Sequence, residues 1–197
     1  EKMSNYLNTP YYSTDLVHAG GNYMADGLGG GASSDLVYSE NSYSNNQIHG
    51  IMEDYYGIGT YHVLPDPNNT YIDHIDCWGK YLSPSKILIR SVATSHAQYD
   101  EIEEVVDYFE NTTTSYGDPW EIFRVYTPSN QPYTNSIILN NKVLVPIMNS
   151  GWDDDALAVY QDALPGYEIL GFTGSWESTD ALHCRIKGIP DLNVMSF

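Results

Sequence analysis

The chain has little cysteine, little positive charge and no long apolar run, and each shortage removes a class of function. Two cysteines in 197 residues cannot frame a disulfide scaffold. Cys77 and Cys184 lie in separate motifs, so both read as thiols. Eight Lys plus Arg against 26 Asp plus Glu leave a formal charge of −18, with no basic patch on which a nucleic acid could sit. The same field draws cations, whether a basic peptide, a small amine or a metal. No apolar stretch approaches the length of a membrane span, and no secretory signal opens the chain.

What is present is 42% hydrophobic residues, enough for one ordinary globular domain with a real core. Eighteen tyrosines beside many Asn, Ser and Thr predict an exported protein, extracellular or in the cell envelope. The opening Glu1-Lys2-Met3 reads as the start of a processed product or of a fragment.

One pattern recurs along the chain, strand–turn–strand–helix–strand. In the first unit (11–66), strands are expected at Asp15–Met24, at Ser34–Ser39 after a Gly-rich stretch, and at Tyr61–Leu64. Between the last two, Ile48, Ile51, Met52 and Tyr55 recur at helical spacing within Asn45–Tyr56. The second unit (67–128) has strands at Ile72–Trp78, Lys86–Val92 and Glu121–Tyr126, with Ile102, Val105, Val106 and Phe109 on one helical face. The third (129–175) runs Ser136–Leu139, a turn at Asn140-Asn141, Val143–Met148, a helix behind Asp153-Asp154-Asp155, and Tyr167–Phe172. A fourth (176–197) starts at Ala181 and ends without its helix. The Asp triplet supplies the N-cap and first-turn acids of its helix; no calcium-loop spacing follows it.

The reactive residues fall at matching places on this repeat. His74 and Asp76 are expected on the first strand of unit two, Asn135 at the start of unit three, and Cys184 on the first strand of unit four. Units arranged about a pseudo-symmetry axis would bring those positions together. Period-two alternation puts His74 and Asp76 on one face and turns Cys77 and His183 away, Cys77 into packing. Lys80 and Arg185 read as structural ion pairs. A thiol, a histidine and a carboxylate suit attack on a cationic, electrophilic carbon: Cys184 as nucleophile, His74 as general acid and base, Asp76 as ligand for guanidinium nitrogens. Such chemistry calls for no metal and no cofactor.

Four ordered stretches carry a specific likeness. Ala19–Gly27 (Ala-Gly-Gly-Asn-Tyr-Met-Ala-Asp-Gly), His74-Ile75-Asp76-Cys77-Trp78-Gly79-Lys80, Tyr133-Thr134-Asn135-Ser136 and Trp176–Arg185 (Trp-Glu-Ser-Thr-Asp-Ala-Leu-His-Cys-Arg) resemble the Porphyromonas-type peptidylarginine deiminases, relatives of agmatine deiminases in the guanidino-group-modifying superfamily. The resemblance implies an α/β fold, the pentein propeller of five ββαβ units, of which about three complete units and the start of a fourth are present. It implies Cys184, His74 and Asp76 in the roles above, Asn135 supporting the site, and Thr179 and Asp180 in a loop over the substrate. The implied reaction converts peptidyl-arginine to peptidyl-citrulline and ammonia through a covalent thiouronium on Cys184, with a small guanidino compound as the other substrate class.

One departure stands out. The family carries a second guanidinium-binding Asp in a Trp-x-Arg-Asp segment, and none of Trp78, Trp120, Trp152 or Trp176 begins one. The expectation is therefore a C-terminal part of a catalytic domain, with an N-terminal fragment of the same precursor as its partner. Two other classes fit less of the pattern. One is a non-catalytic binding or assembly protein on the same fold; the other is a Cys/His protease, for which Asp76 has no use.

Overall fold

A computed structural model describes residues 1–69 and 71–186. Among these residues a short helix α1 (Lys2–Leu7) precedes three sheets of three strands each. The first sheet holds β1 (Met24–Ala25), β2 (Gly30–Ser34) and β3 (Thr60–Leu64), with α2 (Leu36–Ser39) and α3 (Asn45–Tyr56) between β2 and β3. The second holds β4 (Gly79–Ser83), β5 (Lys86–Ser91) and β6 (Glu121–Tyr126), with α4 (Tyr99–Glu110) before β6. The third holds β7 (Ile137–Leu139), β8 (Lys142–Ile147) and β9 (Glu168–Thr173), with α5 (Asp153–Ala163) before β9. In every sheet the first pair is antiparallel and the second parallel. A parallel neighbour requires a crossover, and the helix supplies it. The result is one ββαβ unit repeated three times.

Local chemistry sets the helix ends. Ser44 and Gln47 cap each other's backbone at the start of α3, and Gly57 ends it at φ 70°. Asp100 and Glu101 lie in the first turn of α4, where acids meet the positive end of the helix dipole. Asp153, Asp154 and Asp155 do the same for α5. The N-cap there is Trp152 rather than an Asp. The Asp153 carboxylate instead accepts from the Tyr133 hydroxyl at 2.6 Å and the Ser150 amide at 2.9 Å, tying the helix to the strand entry.

Helices α4 and α5 are wedges between units, whereas Ile48 and Met52 of α3 pack within the first. Ile102, Val105, Val106 and Phe109 of α4 share a core with Ala32 and Leu64 of the first sheet and Ile87 and Ile89 of β5. Ala156, Tyr160 and Ala163 of α5 pack with Leu88, Val125, Val143 and Val145. Strand β5 therefore serves two cores, Ile87 and Ile89 on one face and Leu88 on the other. That explains its unbroken apolar run.

Several expectations are corrected. Asp15–Met24 is not a strand except for Met24, which opens β1: the rest is irregular chain with a 3₁₀ turn at Gly20–Asn22. The end of the Gly-rich stretch, Gly30 and Gly31, already belongs to strand β2 at Gly30–Ser34, fully buried, and Leu36–Ser39 is helical. Small residues fit there because Ile58 packs against Gly31 at 3.0 Å from where its Cβ would be. Ile72–Trp78 is not a strand either; a 3₁₀ turn, Ile75–Cys77, leads into β4, which begins at Gly79. Cys184 lies in a third such turn, His183–Arg185, and not on a strand. The remainder of the expected fourth unit, 187–197, lies outside the described residues. Among the described residues no helix is long and apolar enough to cross a membrane.

Candidate active site

The first two 3₁₀ turns and the segment Thr134–Ser136 stand just ahead of β1, β4 and β7, and they meet the third 3₁₀ turn. Asn22 bridges the first two turns. Its Oδ1 accepts from the Ser34 amide at 2.7 Å and the Ile75 amide at 3.2 Å, holding the turn that carries Asp76. Thr134 Oγ1 donates to the Asp76 carbonyl at 3.0 Å. Asn135 then fixes the third turn from three sides: its carbonyl accepts from the His183 amide at 3.1 Å, its Oδ1 from the Cys184 amide at 3.3 Å, and its Nδ2 donates to Cys184 Sγ at 3.1 Å. Tyr133, Thr134, Asn135 and Ser136 are all buried.

Asp76 is the hub, at 2% exposure. The Cys184 thiol donates to its Oδ2 at 3.2 Å, across 108 residues of sequence. His183 Nδ1 lies 2.8 Å from the same oxygen; facing a carboxylate, that nitrogen carries the hydrogen. The Cys77 thiol approaches Oδ1 at 3.7 Å from the buried side. His74 completes the cluster at the entry of the Asp76 turn. A methyl group on Gly21 would stand 2.7 Å from His74 Nδ1 and 3.0 Å from Asp76 Oδ2. The imidazole and the carboxylate thus border one small space that only a glycine backbone leaves open.

Burial, and behind it the Asp76 carboxylate, push the Cys184 thiol from 9.0 up to about 11. Cys77 is pushed higher still by burial and Asp76, which makes it an inert packing thiol. Lys80 is not the ion pair expected. Its ammonium donates to the Ser136 carbonyl at 2.9 Å, and burial brings it from 10.5 down to about 8, against the pull of Asp76 and Cys184. His18, buried and repelled by His74, falls from 6.5 to about 4 and so stays neutral.

The structure brings His74, Asp76, Asn135 and Cys184 together. Thr179 is buried over the thiol, its carbonyl 3.7 Å from Cys184 Sγ. Asp180 stands further out, its carboxylate paired with Arg185 at 2.8 Å, and Arg185 also stacks over Trp176 at 5.1 Å. Sequence reading missed His183. Period-two alternation turned it away from Cys184, but at three residues per turn neighbours are not opposed, and both reach Asp76. The adjacency of His and Cys was the available signal.

Three ββαβ units gathered about a thiol, an imidazole and a carboxylate define a pentein-type fold. The sequence model of the Porphyromonas-type peptidyl-arginine deiminases matches residues 1–190, and the chain belongs to that family. Agmatine deiminase of Medicago truncatula is 23% identical over 232 residues, covering 96% of this chain and 61% of that protein. Among solved structures, agmatine deiminase of Enterococcus faecalis superposes with a TM-score of 0.79 at 19% identity, over 87% of this chain and 56% of the other. A C. jejuni agmatine deiminase with substrate bound gives 0.77 at 17%, over 96% and 62%. The chain thus spans about three-fifths of the relatives it matches.

Proposed function

We propose that this site hydrolyses the C–N bond of a guanidinium group, with Cys184 as nucleophile. The observation that carries the reading is the Cys184–Asp76 contact at 3.2 Å, held by Asn135 and bordered by His74. A carboxylate beside a thiol obstructs a nucleophile that must act on a neutral substrate, because it opposes thiolate formation. For a cationic substrate the same carboxylate is the docking point, and the arriving charge offsets its repulsion of the thiolate.

The steps follow. The guanidinium binds Asp76 through its N–H groups, displacing the Cys184 S–H from Oδ2. The sulfur passes its proton to His74 and adds as thiolate to the guanidinium carbon. The C–N bond to one terminal nitrogen breaks as His74 gives that nitrogen a proton, so ammonia leaves and an S-alkyl thiouronium remains on Cys184. Water adds to the same carbon, His74 takes its proton, and the C–S bond breaks to return Cys184 and release a ureido product. Balanced overall, guanidinium and water give urea derivative and ammonium.

Peptidyl-arginine is the substrate we propose, supported by the description of the matching family. Agmatine is the second reading, supported by the names of the relatives. The proposal includes an N-terminal companion segment supplying the second carboxylate. In its favour are the partial span and the apolar side chains left exposed on the third unit, Leu139, Phe172 and Met148. An extracellular or cell-envelope location is part of the same proposal, checked by fractionation of native cells. The deciding assay measures ureido product from a peptidyl-arginine, free arginine and agmatine, with native protein and with Cys184→Ala. Product formation that survives Cys184→Ala rejects the assignment. Intact-mass analysis of the native material identifies any companion segment.

A further inference from the structure

We infer that His183 is a positioning residue, a strut that acts through Nδ1 to fix the plane of the Asp76 carboxylate. The inference rests on the function proposed above for Asp76, and it adds a residue that the family motif does not assign.

A carboxylate that must align a planar cation needs its rotation about Cβ–Cγ stopped. Backbone contacts cannot do this: Thr134 holds the Asp76 carbonyl and leaves the side chain free to turn. The two thiols are weak donors, and one of them has to leave Oδ2 when substrate arrives. His183 supplies the strong donor, at 2.8 Å. Its own backbone is pinned, since its amide donates to the Asn135 carbonyl at 3.1 Å. The ring is mostly buried at 22% side-chain exposure, and it lines a cavity of about 370 Å³ together with Lys80, Ile137 and Ile186. Asn135 therefore positions the nucleophile and, through one further residue, the ligand carboxylate. Both halves of the site share a single anchor.

The geometry makes a discriminating test. An asparagine amide nitrogen occupies nearly the place of histidine Nδ1, whereas glutamine reaches the place of Nε2. His183→Asn should retain the strut, and His183→Gln and His183→Ala should lose it. In native protein, kcat/KM for the guanidino substrate should stay within about threefold of wild type in His183→Asn. It should fall about 10²-fold in the other two, the size of loss that accompanies a misplaced reacting group. A second readout needs no turnover. With no donor at Oδ2 but the thiol, Asp76 holds the Cys184 proton more firmly, so iodoacetamide should alkylate Cys184 at pH 8 more slowly in the Gln and Ala variants than in wild type and the Asn variant. Thermal melts confirm that all three variants fold. If Gln equals or surpasses Asn in alkylation, or all variants match wild type, the strut is refuted. If the alkylation order holds but wild type deiminates nothing, the strut stands and the proposed reaction falls.

Discussion

Replacing Asp76 by asparagine should make Cys184 more reactive while abolishing turnover, and the two effects can be measured separately. The thiol stands at about 11 instead of 9.0 because of burial first and the Asp76 carboxylate second. At pH 8 that difference lowers the thiolate fraction about a hundredfold. Cys184 is only half-buried, so solvent screening reduces the real figure, to about tenfold. Asp76 accounts for the smaller share, and Asp76→Asn should therefore restore the thiolate about threefold. A less basic thiolate is also a weaker nucleophile, by about 0.4–0.5 of the logarithm gained. The net expectation is alkylation by iodoacetamide about twofold faster at pH 8, in protein whose ureido-product formation is lost. Cys77 does not interfere, since it is buried and its thiol is held far above its ordinary range; a Cys77→Ser background verifies this. Alkylation at an unchanged or lower rate would falsify the claim that Asp76 restrains the nucleophile.

Gly21→Ala should cost activity about 10²-fold, because the added methyl would meet His74 Nδ1 at 2.7 Å; full activity would mean that the space beside Asp76 has no role. Asn22→Ala leaves the buried amides of Ser34 and Ile75 without their acceptor, and denaturant titration should show a loss of about 2 kcal/mol or more. Lys80→Met supplies a pH test. Burial lowers the ammonium from 10.5 to about 8, so between those values Lys80 binds more protons in the unfolded chain than in the folded one, and its contribution to stability rises with pH. Wild type should therefore gain on Lys80→Met from pH 8 to 10.5 in paired melts; a loss over that window contradicts the assignment. Phe109→Ala, emptying the core under α4, should destabilise by about 3–5 kcal/mol.

The helices were legible in the sequence and the site's backbone was not. Asn45–Tyr56 and the face of Ile102, Val105, Val106 and Phe109 announce themselves because a helix buries one stripe, and the stripe sets the spacing. Strand β5 was visible as an apolar run for a similar reason. The 3₁₀ turns leave no such trace. Three residues have no periodicity to read, and Ile75, Asp76 and Cys77 are all buried whatever their polarity. The apolar and polar residues of 72–78 therefore looked like a strand. Strand β2 was hidden by the opposite effect: Gly30 and Gly31 signal a loop, yet close packing by Asp26 and Ile58 requires them to be small. The grouping of His74, Asp76, Asn135 and Cys184 survived these errors because it depended on the order of repeats, not on the type of element carrying each residue.

The 3₁₀ turns have a consequence for how such a site can change. Gly21, Asp76 and Cys184 each occupy the middle of their turn, at Gly20–Asn22, Ile75–Cys77 and His183–Arg185. One backbone socket recurs, and each copy is loaded differently: with nothing, with a ligand carboxylate, with a nucleophile. The emptiness of the first copy is as specific as the occupancy of the others, since a side chain there would collide with the contents of the second. Diversification of this site is accordingly a matter of reassigning three sockets around a fixed centre. A change in one is constrained chiefly by what the other two already hold, and substitutions at 21, 76 and 184 should be strongly non-additive.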